Sequence, residues 1–170
     1  MAALFKVFWQ IALLRKGPQV LPASRELMLI VLAVHWLLGV VLVVDTFSLD
    51  RALLSGLVGT LILVATVHGL LVLRHRHSRV TQTLSALAGC EVLLGLMMLP
   101  LLALLHLGGG AQTMAAMFWL LLIGWNVAIA AHIFRHALEV RQGASLLFGV
   151  GYIILSMALT SFLVPLEAPV

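Results

Sequence analysis

Five long apolar stretches constrain the fold of this chain more than any other feature of its sequence. Each has close to the 17–25 residues that an α-helix needs to cross a hydrocarbon layer of about 30 Å. No segment shows the ten-residue alternation of a membrane strand, and leucine-rich runs of this length are helical. The sequence therefore predicts an all-α polytopic membrane protein with five transmembrane helices, at residues 27–44, 52–73, 84–105, 114–134 and 144–164.

The composition agrees with a chain that lies mostly in lipid. Apolar residues make up 63% of the 170 residues and charged residues only 9%, whereas a soluble chain of this length needs a polar exterior. The basic residues stand in short clusters between the apolar stretches, so we expect no nucleic-acid partner. The single cysteine, Cys90, lies inside an apolar stretch, where we interpret it as a packing residue. The lipid bilayer is the expected surrounding partner.

The distribution of lysine and arginine predicts how the chain is threaded. Basic residues precede the first stretch and fill the second and fourth connections, while Arg51 is the one basic residue of the alternate connections. Cytoplasmic loops carry an excess of Lys and Arg. We therefore expect a cytoplasmic N-terminus and an external C-terminus in a bacterial-type inner, or plasma, membrane.

Residues 1–26 are predicted to form a cytoplasmic segment, followed by the transmembrane domain at 27–170. Apolar residues recur at helical spacing over "LFKVFWQIALL", which favours a short amphipathic helix in the membrane interface. Prolines in "GPQVLPAS" break that helix, and Ser24 is a suitable N-cap for the first span. We expect anionic headgroups to be contacted by this segment and by the "RHRHSR" loop, through Lys6, Trp9, Arg15, Lys16, Arg74, Arg76 and Arg79.

Glu91 is the sharpest functional signal, because a charge near the centre of a membrane helix costs about 2.5–3.5 kcal/mol on insertion scales. Counting along each span places His35, His68 and Asn126 at a similar depth, so these four residues are predicted to form one polar cluster. Two interpretations stand. Our first is a protonated Glu91 that hydrogen-bonds neighbouring helices together; the other is a carboxyl group that handles protons or ions.

The histidines offer candidate ligands for a metal ion or a haem. His132 and His136, at i and i+4, could chelate a metal, but the glutamate of a zincin motif is missing and Arg135 places them near headgroups. Haem would need two histidines at one depth, and His35, His68 and His132 are the candidates. We expect no cofactor, and no metal beyond these candidates.

The chain resembles small bacterial members of the Yip domain family, membrane proteins named for interaction with Rab-type GTPases. The resemblance rests on the cytoplasmic amphipathic segment, a Gly17–Pro18 break, five closely spaced stretches with short connections, and a Gly151–Tyr152 pair. Eukaryotic members carry an acidic-aromatic run before Gly-Pro, where this chain has "LLRKGP". Membership would imply a non-enzymatic protein that organises membranes or partner proteins.

The sequence thus predicts a non-enzymatic inner-membrane accessory, scaffold or assembly protein. It would pack against lipids and a membrane-protein partner, or against further copies of itself, since small residues repeat at four-residue spacing. The alternative is a proton-coupled small transporter or channel component that uses Glu91 and His35. The sequence identifies no small-molecule substrate.

Overall fold

The structure is a computed structural model that describes residues 2–105, 107 and 109–165. Helices make up 84% of it, and the described residues contain no strand, which confirms the all-α prediction. A single 3-10 turn precedes each of the helices α2 and α4, at Pro18–Val20 and His77–Arg79. The six α-helices of the described residues are α1 (Ala2–Ala12), α2 (Arg25–Val41), α3 (Leu49–Leu73), α4 (Val80–Leu105), α5 (Gly109–Leu138) and α6 (Gln142–Leu163).

Four of these helices are long and apolar enough to cross a membrane. They are α3, α4 with the turn before it, α5 and α6, and their mean hydropathy lies between 1.9 and 2.2. The predicted first span corresponds to α2, which has 17 residues and a length of about 25 Å. Helix α2 is therefore shorter than the other four helices. Those four are the helices whose length and composition indicate a membrane protein.

Helix α2 begins where the sequence predicts it. The backbone N–H of Leu27 donates to Ser24 Oγ at 3.0 Å, and the Ser24 hydroxyl donates to Glu26 at 2.7 Å. Ser24 thereby pairs one of the N–H groups that every helix N-terminus leaves without an intrahelical partner. The N-cap prediction is confirmed.

Helix α4 packs against four other helices, α1, α2, α3 and α5. Helices α2, α3, α6, α5 and α4 follow one another in a closed ring, each packing against the next, and α3 also contacts α4. Every residue from 83 to 90 on α4 is buried. Helix α4 is therefore the element against which its neighbours are positioned.

Helix α1 packs on the outside of α4 and α5. Ile11 is fully buried there, Trp125 Nε1 donates to the carbonyl of Ala12 at 3.0 Å, and Phe8 lies against Gly89. The predicted apolar face of this segment is divided, because Phe5 and Trp9 point outward and are 58% and 42% exposed. The segment is thus joined to the bundle by one side while keeping an aromatic outer side.

The two ends of the bundle differ in charge. One end of the bundle, called here the basic end, carries Arg25, Arg74, Arg76, Arg79, Arg135 and Arg141. Helices α2, α4 and α6 begin at the basic end, and helices α3 and α5 terminate there. At the opposite end Arg51 donates to the carbonyl of Pro165 at 3.0 Å and links the start of α3 to the chain after α6. Successive long helices are therefore antiparallel.

Glycine permits the close approach of α5 and α6. A Cβ at Gly149 would stand 2.8 Å from the backbone nitrogen of Ala131 and 2.9 Å from the backbone oxygen of Val127. Side-chain rotation cannot relieve a contact with backbone, so any larger residue must push the helices apart. Close packing of this kind holds helices together in lipid, where apolar surface gives no preference for contact.

We expect Gly149→Ala to destabilise the bundle by about 1–3 kcal/mol, the usual cost of overpacking. Gly151→Ala on the same helix is the matched control, because its Cβ would meet nothing within 4 Å. Alanine is the better helix former, so the control should be neutral or stabilising. Thermal unfolding of the two variants in detergent micelles measures the difference, and equal melting temperatures would contradict this account of the α5–α6 contact.

Candidate functional site

Four polar side chains from four helices form one hydrogen-bonded network inside the bundle. Glu91 Oε2 lies 2.8 Å from His35 Nε2, and the Tyr152 hydroxyl donates to Glu91 Oε1 at 2.7 Å. His35 Nδ1 lies 2.9 Å from Thr60 Oγ1. His35, Thr60, Glu91 and Tyr152, from α2, α3, α4 and α6, are called here the polar network.

The direction of each hydrogen bond follows from Thr60. Its hydroxyl donates to the carbonyl of Gly56, one turn earlier on α3, at 2.9 Å, and a hydroxyl has only one proton to give. Thr60 Oγ1 must therefore accept from His35, so His35 Nδ1 carries a hydrogen. The Nε2 atom that faces Glu91 is then either a lone-pair acceptor or the second N–H of an imidazolium.

One proton therefore occupies the 2.8 Å contact between Glu91 Oε2 and His35 Nε2. If the proton is on Glu91, a neutral acid donates to a neutral imidazole; if it is on His35, an imidazolium donates to a carboxylate. The net charge of the pair is zero in both cases. The pair can thus move a proton over a short distance without leaving an uncompensated charge in the bundle.

Three members of the polar network, His35, Glu91 and Tyr152, line a cavity of about 330 Å³. His35 and Glu91 keep 17% and 12% of their side-chain surface exposed, whereas Tyr152 is 4% exposed. All five helices from α2 to α6 contribute to the lining: His35, Leu38, Gly39, Leu42, Gly59, Glu91, Leu94, Gly95, Met98, Trp119, Ile123, Asn126, Tyr152, Ile153, Ser156 and Met157.

The cavity extends from Glu91 away from the basic end. On α2, α4 and α6, which begin at the basic end, the lining runs from His35 to Leu42, from Glu91 to Met98 and from Tyr152 to Met157. On α5, which runs the other way, it includes Trp119 and ends at Asn126. Glu91 therefore lies at the inner limit of a space that reaches toward the opposite end of the bundle.

Between the polar network and the basic end, the interior is closely packed and mostly apolar, and the buried hydroxyls of Thr83, Ser85 and Ser145 donate to backbone carbonyls of their own helices or helix starts. Leu87 and Ile133 are fully buried, as is the aromatic ring of Phe134, which meets the Tyr152 ring edge-on at a centroid distance of 6.1 Å. The other residues of this layer are at most 3% exposed: Leu63, Val67, Leu71 and Leu84. Side chains thus fill the path from Glu91 to the basic end.

The structure brings together part of the sequence-predicted cluster. Glu91 and His35 are bonded, and Asn126 lines the same cavity. His68 stands apart: its side chain is exposed, and it follows Thr60 on α3 by eight residues, about 12 Å along the axis and about 80° around it. His68 therefore lies nearer the basic end than the polar network, not at the similar depth predicted for it, and its rotation about the helix axis also directs it away from Glu91.

Two members of the network were missed by the sequence analysis. Tyr152 is the one tyrosine of the chain and lies in an apolar stretch, where a hydroxyl needs a hydrogen-bond partner. Its residue type could therefore have predicted a polar contact inside the bundle. Thr60 carried no such signal, because a threonine in a helix can satisfy its own hydroxyl on the preceding turn.

Asn126 contains a polar atom that lacks a partner. Its Oδ1 atom is buried and makes no hydrogen bond, and it is the one buried side-chain oxygen or nitrogen in this condition among the described residues. An unpaired buried acceptor costs about 1–3 kcal/mol. The amide lies on the wall of the cavity, within the depth range of the polar network.

At the basic end, two of the arginines predicted to contact headgroups bind protein groups. Arg79 donates to the carbonyls of His136 and Ala137 at 3.0 and 3.3 Å, and both Arg76 and Arg79 donate to Glu139 at 2.5 Å. These contacts pair carbonyls at the C-terminus of α5 with cations, which the helix dipole favours. Arg74, Lys6, Arg15 and Lys16 are exposed.

The histidine pair of α5 lies beside the N-terminal segment. The rings of His132 and His136 are 4.6 Å apart, and His132 Nε2 donates to the carbonyl of Lys16 at 3.0 Å. No group of three or more His, Cys, Asp or Glu that could hold a metal ion occurs among the described residues. Both ring nitrogens of His35 are hydrogen-bonded, and His68 is exposed elsewhere, so the haem candidates do not face one another.

No protein-family model, curated protein or solved structure matches this chain. The resemblance to the Yip domain family stays a prediction that rests on the sequence features quoted for it.

The Tyr152 hydroxyl gives a direct test of the polar network. We expect Tyr152→Phe to cost about 1 kcal/mol, because Glu91 Oε1 loses its donor while the ring keeps its contact with Phe134. In a Glu91→Leu background the same change should be neutral or stabilising, since it removes a hydroxyl that already lacks its partner. The free energies of unfolding of wild type, the two single variants and the double variant in micelles give the coupling energy between Tyr152 and Glu91. If the costs of the two single substitutions simply add in the double variant, the two side chains do not interact.

Glu139 predicts a pH dependence at the basic end. Hydrogen bonds from Arg76 and Arg79 hold the pKa of Glu139 below its ordinary value of 4.5. Because the pKa of Glu139 is lower in the folded protein than in the unfolded chain, its ion pairs stabilise the fold fully above the ordinary pKa. This stabilisation is lost as the pH falls through the pKa of Glu139 in the folded protein. Glu139→Gln should therefore lower the melting temperature near neutral pH, and its difference from wild type should disappear in acid. A difference that persists in acid would argue against the ion pairs.

Proposed function

We propose that this chain is a non-enzymatic multi-pass membrane protein in which the polar network is the proton-exchanging site of a small transporter or channel component. The observation that carries the proposal is the position of the Glu91–His35 pair on the wall of the cavity. Ionisable residues inside membrane helices usually face water-filled cavities and mark proton or ion pathways. A carboxyl group that shares one proton with an imidazole beside such a cavity suits this role.

The proposal includes a topology. Helices α2 to α6 are taken as the five spans, with the basic end in the cytoplasm of a cell inner membrane, as the positive-inside rule favours. Helix α2 is short for a span, and local thinning of the bilayer accommodates a short helix at modest cost. In this arrangement the cavity reaches toward the external face, and the apolar layer around Leu87 and Phe134 separates Glu91 from the cytoplasm.

One-sided access has a mechanical consequence. A proton that reaches Glu91 from the cavity can be released toward the cytoplasm only when the apolar layer opens. Close contacts through Gly149 couple α5 to α6, which carry Phe134 and Tyr152. A small shift of this helix pair is therefore the motion that we expect to expose the network to the other side.

An accessory or scaffold protein is the second candidate. Its support is the outer surface of α5 and α6, where Gly124 and Gly151 are exposed and a Cβ at either would meet nothing within 4 Å. Small residues of this kind allow a further helix to approach closely. The partner would be another membrane protein or a second copy of this chain, as membership of the Yip domain family would also imply.

A proton-flux measurement tests the first proposal. The full chain is reconstituted in liposomes that contain a pH-sensitive dye, and a potassium gradient with valinomycin makes the interior negative. We expect wild-type liposomes to acidify faster than protein-free ones, and Glu91→Gln to reduce the rate to the protein-free level, because an amide keeps the size of the side chain but cannot release a proton.

Glu26→Gln is the matched control, since Glu26 is an exposed carboxylate at the N-terminus of α2, outside the network. It should conduct like wild type. Equal acidification by wild-type and Glu91→Gln protein would overturn the transport proposal. If flux is absent from both and Gly124→Leu abolishes co-purification of a membrane partner or of a tagged second copy, the scaffold function is favoured instead.

A further inference from the structure

We infer that the cavity binds a small monovalent amine, whose ammonium group replaces the proton shared by Glu91 and His35. The inference rests on the proposed function, because it names the class of ligand that would exchange with the proton at that site. Four observations carry it: the charge of the lining, the donors and acceptors at Glu91, the apolar walls, and the unpaired oxygen of Asn126.

The charge of the lining excludes anions and multivalent metals. None of the residues that line the cavity is Lys or Arg, and Glu91 is its one carboxylate. An anion would therefore meet no cationic partner except an imidazolium already paired with Glu91. Calcium requires six to eight oxygen ligands and magnesium an octahedral set, which one carboxylate and one amide do not supply. A single positive charge is what one carboxylate can neutralise.

The walls of the cavity match an organic cation better than a bare alkali ion. Leu38, Ile123 and Met157 give an apolar surface, and Trp119 adds an aromatic ring. Aromatic faces attract ammonium groups. The volume of about 330 Å³ lies at the small end of the range for small-molecule sites. A compact amine with an apolar body fits this combination of size and chemistry.

Asn126 supplies a second acceptor. Its Oδ1 atom is buried and unpaired, and the terminal torsion of an asparagine has two broad wells about half a turn apart. A half turn exchanges Oδ1 with Nδ2, and we infer that the amide turns its oxygen toward a ligand in the cavity. An N–H of the ligand would then donate to that oxygen. Asn126 is thus inferred to be a specificity residue that favours amines with several N–H groups.

The proton balance of the exchange is one for one. Before binding, the Glu91–His35 pair holds one proton and has no net charge. When an ammonium ion enters, the shared proton leaves to solvent, the carboxylate faces the ammonium, and the net charge is again zero. The titratable groups around Glu91 are its neighbour Cys90 on α4, His35 from α2 and Tyr152 from α6, whereas α3 and α5 present Thr60 and Asn126. No covalent bond changes except those of the transferred proton.

Calorimetry of the full chain in detergent micelles tests the inference with benzylamine as the probe. Titrations in two buffers of different ionisation enthalpy give the number of protons released on binding. We expect about one proton per benzylamine, and an affinity that rises by up to about tenfold per pH unit, the slope that one released proton imposes. Benzyl alcohol, which has the same body without the charge, should release none.

Two substitutions localise the effect. Glu91→Gln should abolish proton release and weaken benzylamine binding at least tenfold, while Glu26→Gln should behave like wild type. Asn126→Leu should weaken binding about fivefold to tenfold yet keep the release of one proton, because the Glu91–His35 pair is intact. The comparison of benzylamine with benzyl alcohol on wild-type protein needs no substitution, so it decides the question even if a variant fails to fold.

The inference is overturned if benzylamine releases no proton from wild-type protein, or if benzyl alcohol binds with the same affinity. Its failure and that of the proposed function are separable. Proton flux that depends on Glu91 in liposomes, without amine binding, would leave the transport proposal standing and remove the ligand class. Proton release by benzylamine without any flux would leave an amine-binding protein that does not transport protons.

Discussion

The hydrogen bond between Glu91 and His35 is the interaction on which the arrangement of the bundle depends. Glu91 stands on α4, which packs against α1, α2, α3 and α5, and an unpaired polar group there would cost several kcal/mol in an apolar environment. His35 and Tyr152 bring α2 and α6 to it, and Thr60 fixes the ring of His35 from α3. Four helices are therefore positioned by the need to satisfy one carboxyl group, in a medium where apolar contact alone prefers no particular neighbour.

The sequence was sufficient for the all-α class and the N-cap at Ser24, and it gave His35 as one of three candidate partners of Glu91. It was not sufficient for the faces of the helices. A soluble helix marks its inner face by apolar periodicity, but a helix in lipid is apolar all round, so rotation about its axis leaves little trace in the sequence. His68 illustrates this limit, since it shares a helix with Thr60 and yet is exposed. The docking of α1 was missed for a different reason: its apolar face is marked in the sequence, but the sequence does not show that Phe8 contacts the bundle while Phe5 faces outward.

The division of the interior into a cavity and a packed layer explains why the network is placed where it is. A polar group in the packed layer would have to be satisfied by protein alone, whereas one at the edge of a cavity can also exchange partners with a ligand or water. The residual exposure of His35 and Glu91, 17% and 12%, is on this edge. Tyr152 and Thr60, which only donate or relay a fixed bond, are more deeply buried.

These differences bear on whether Glu91 is a structural lock or a working group. A lock between helices needs no ionisable side chain, because an amide or hydroxyl can hydrogen-bond across helices without the cost of a potential charge. A lock also gains nothing from an adjacent cavity, which forfeits packing contacts around the bond. This bundle has both an ionisable pair and a cavity beside it, and in Asn126 it keeps an acceptor without a partner. Each of the three lowers the stability of a purely structural contact, and each supports the proposal of an exchangeable site.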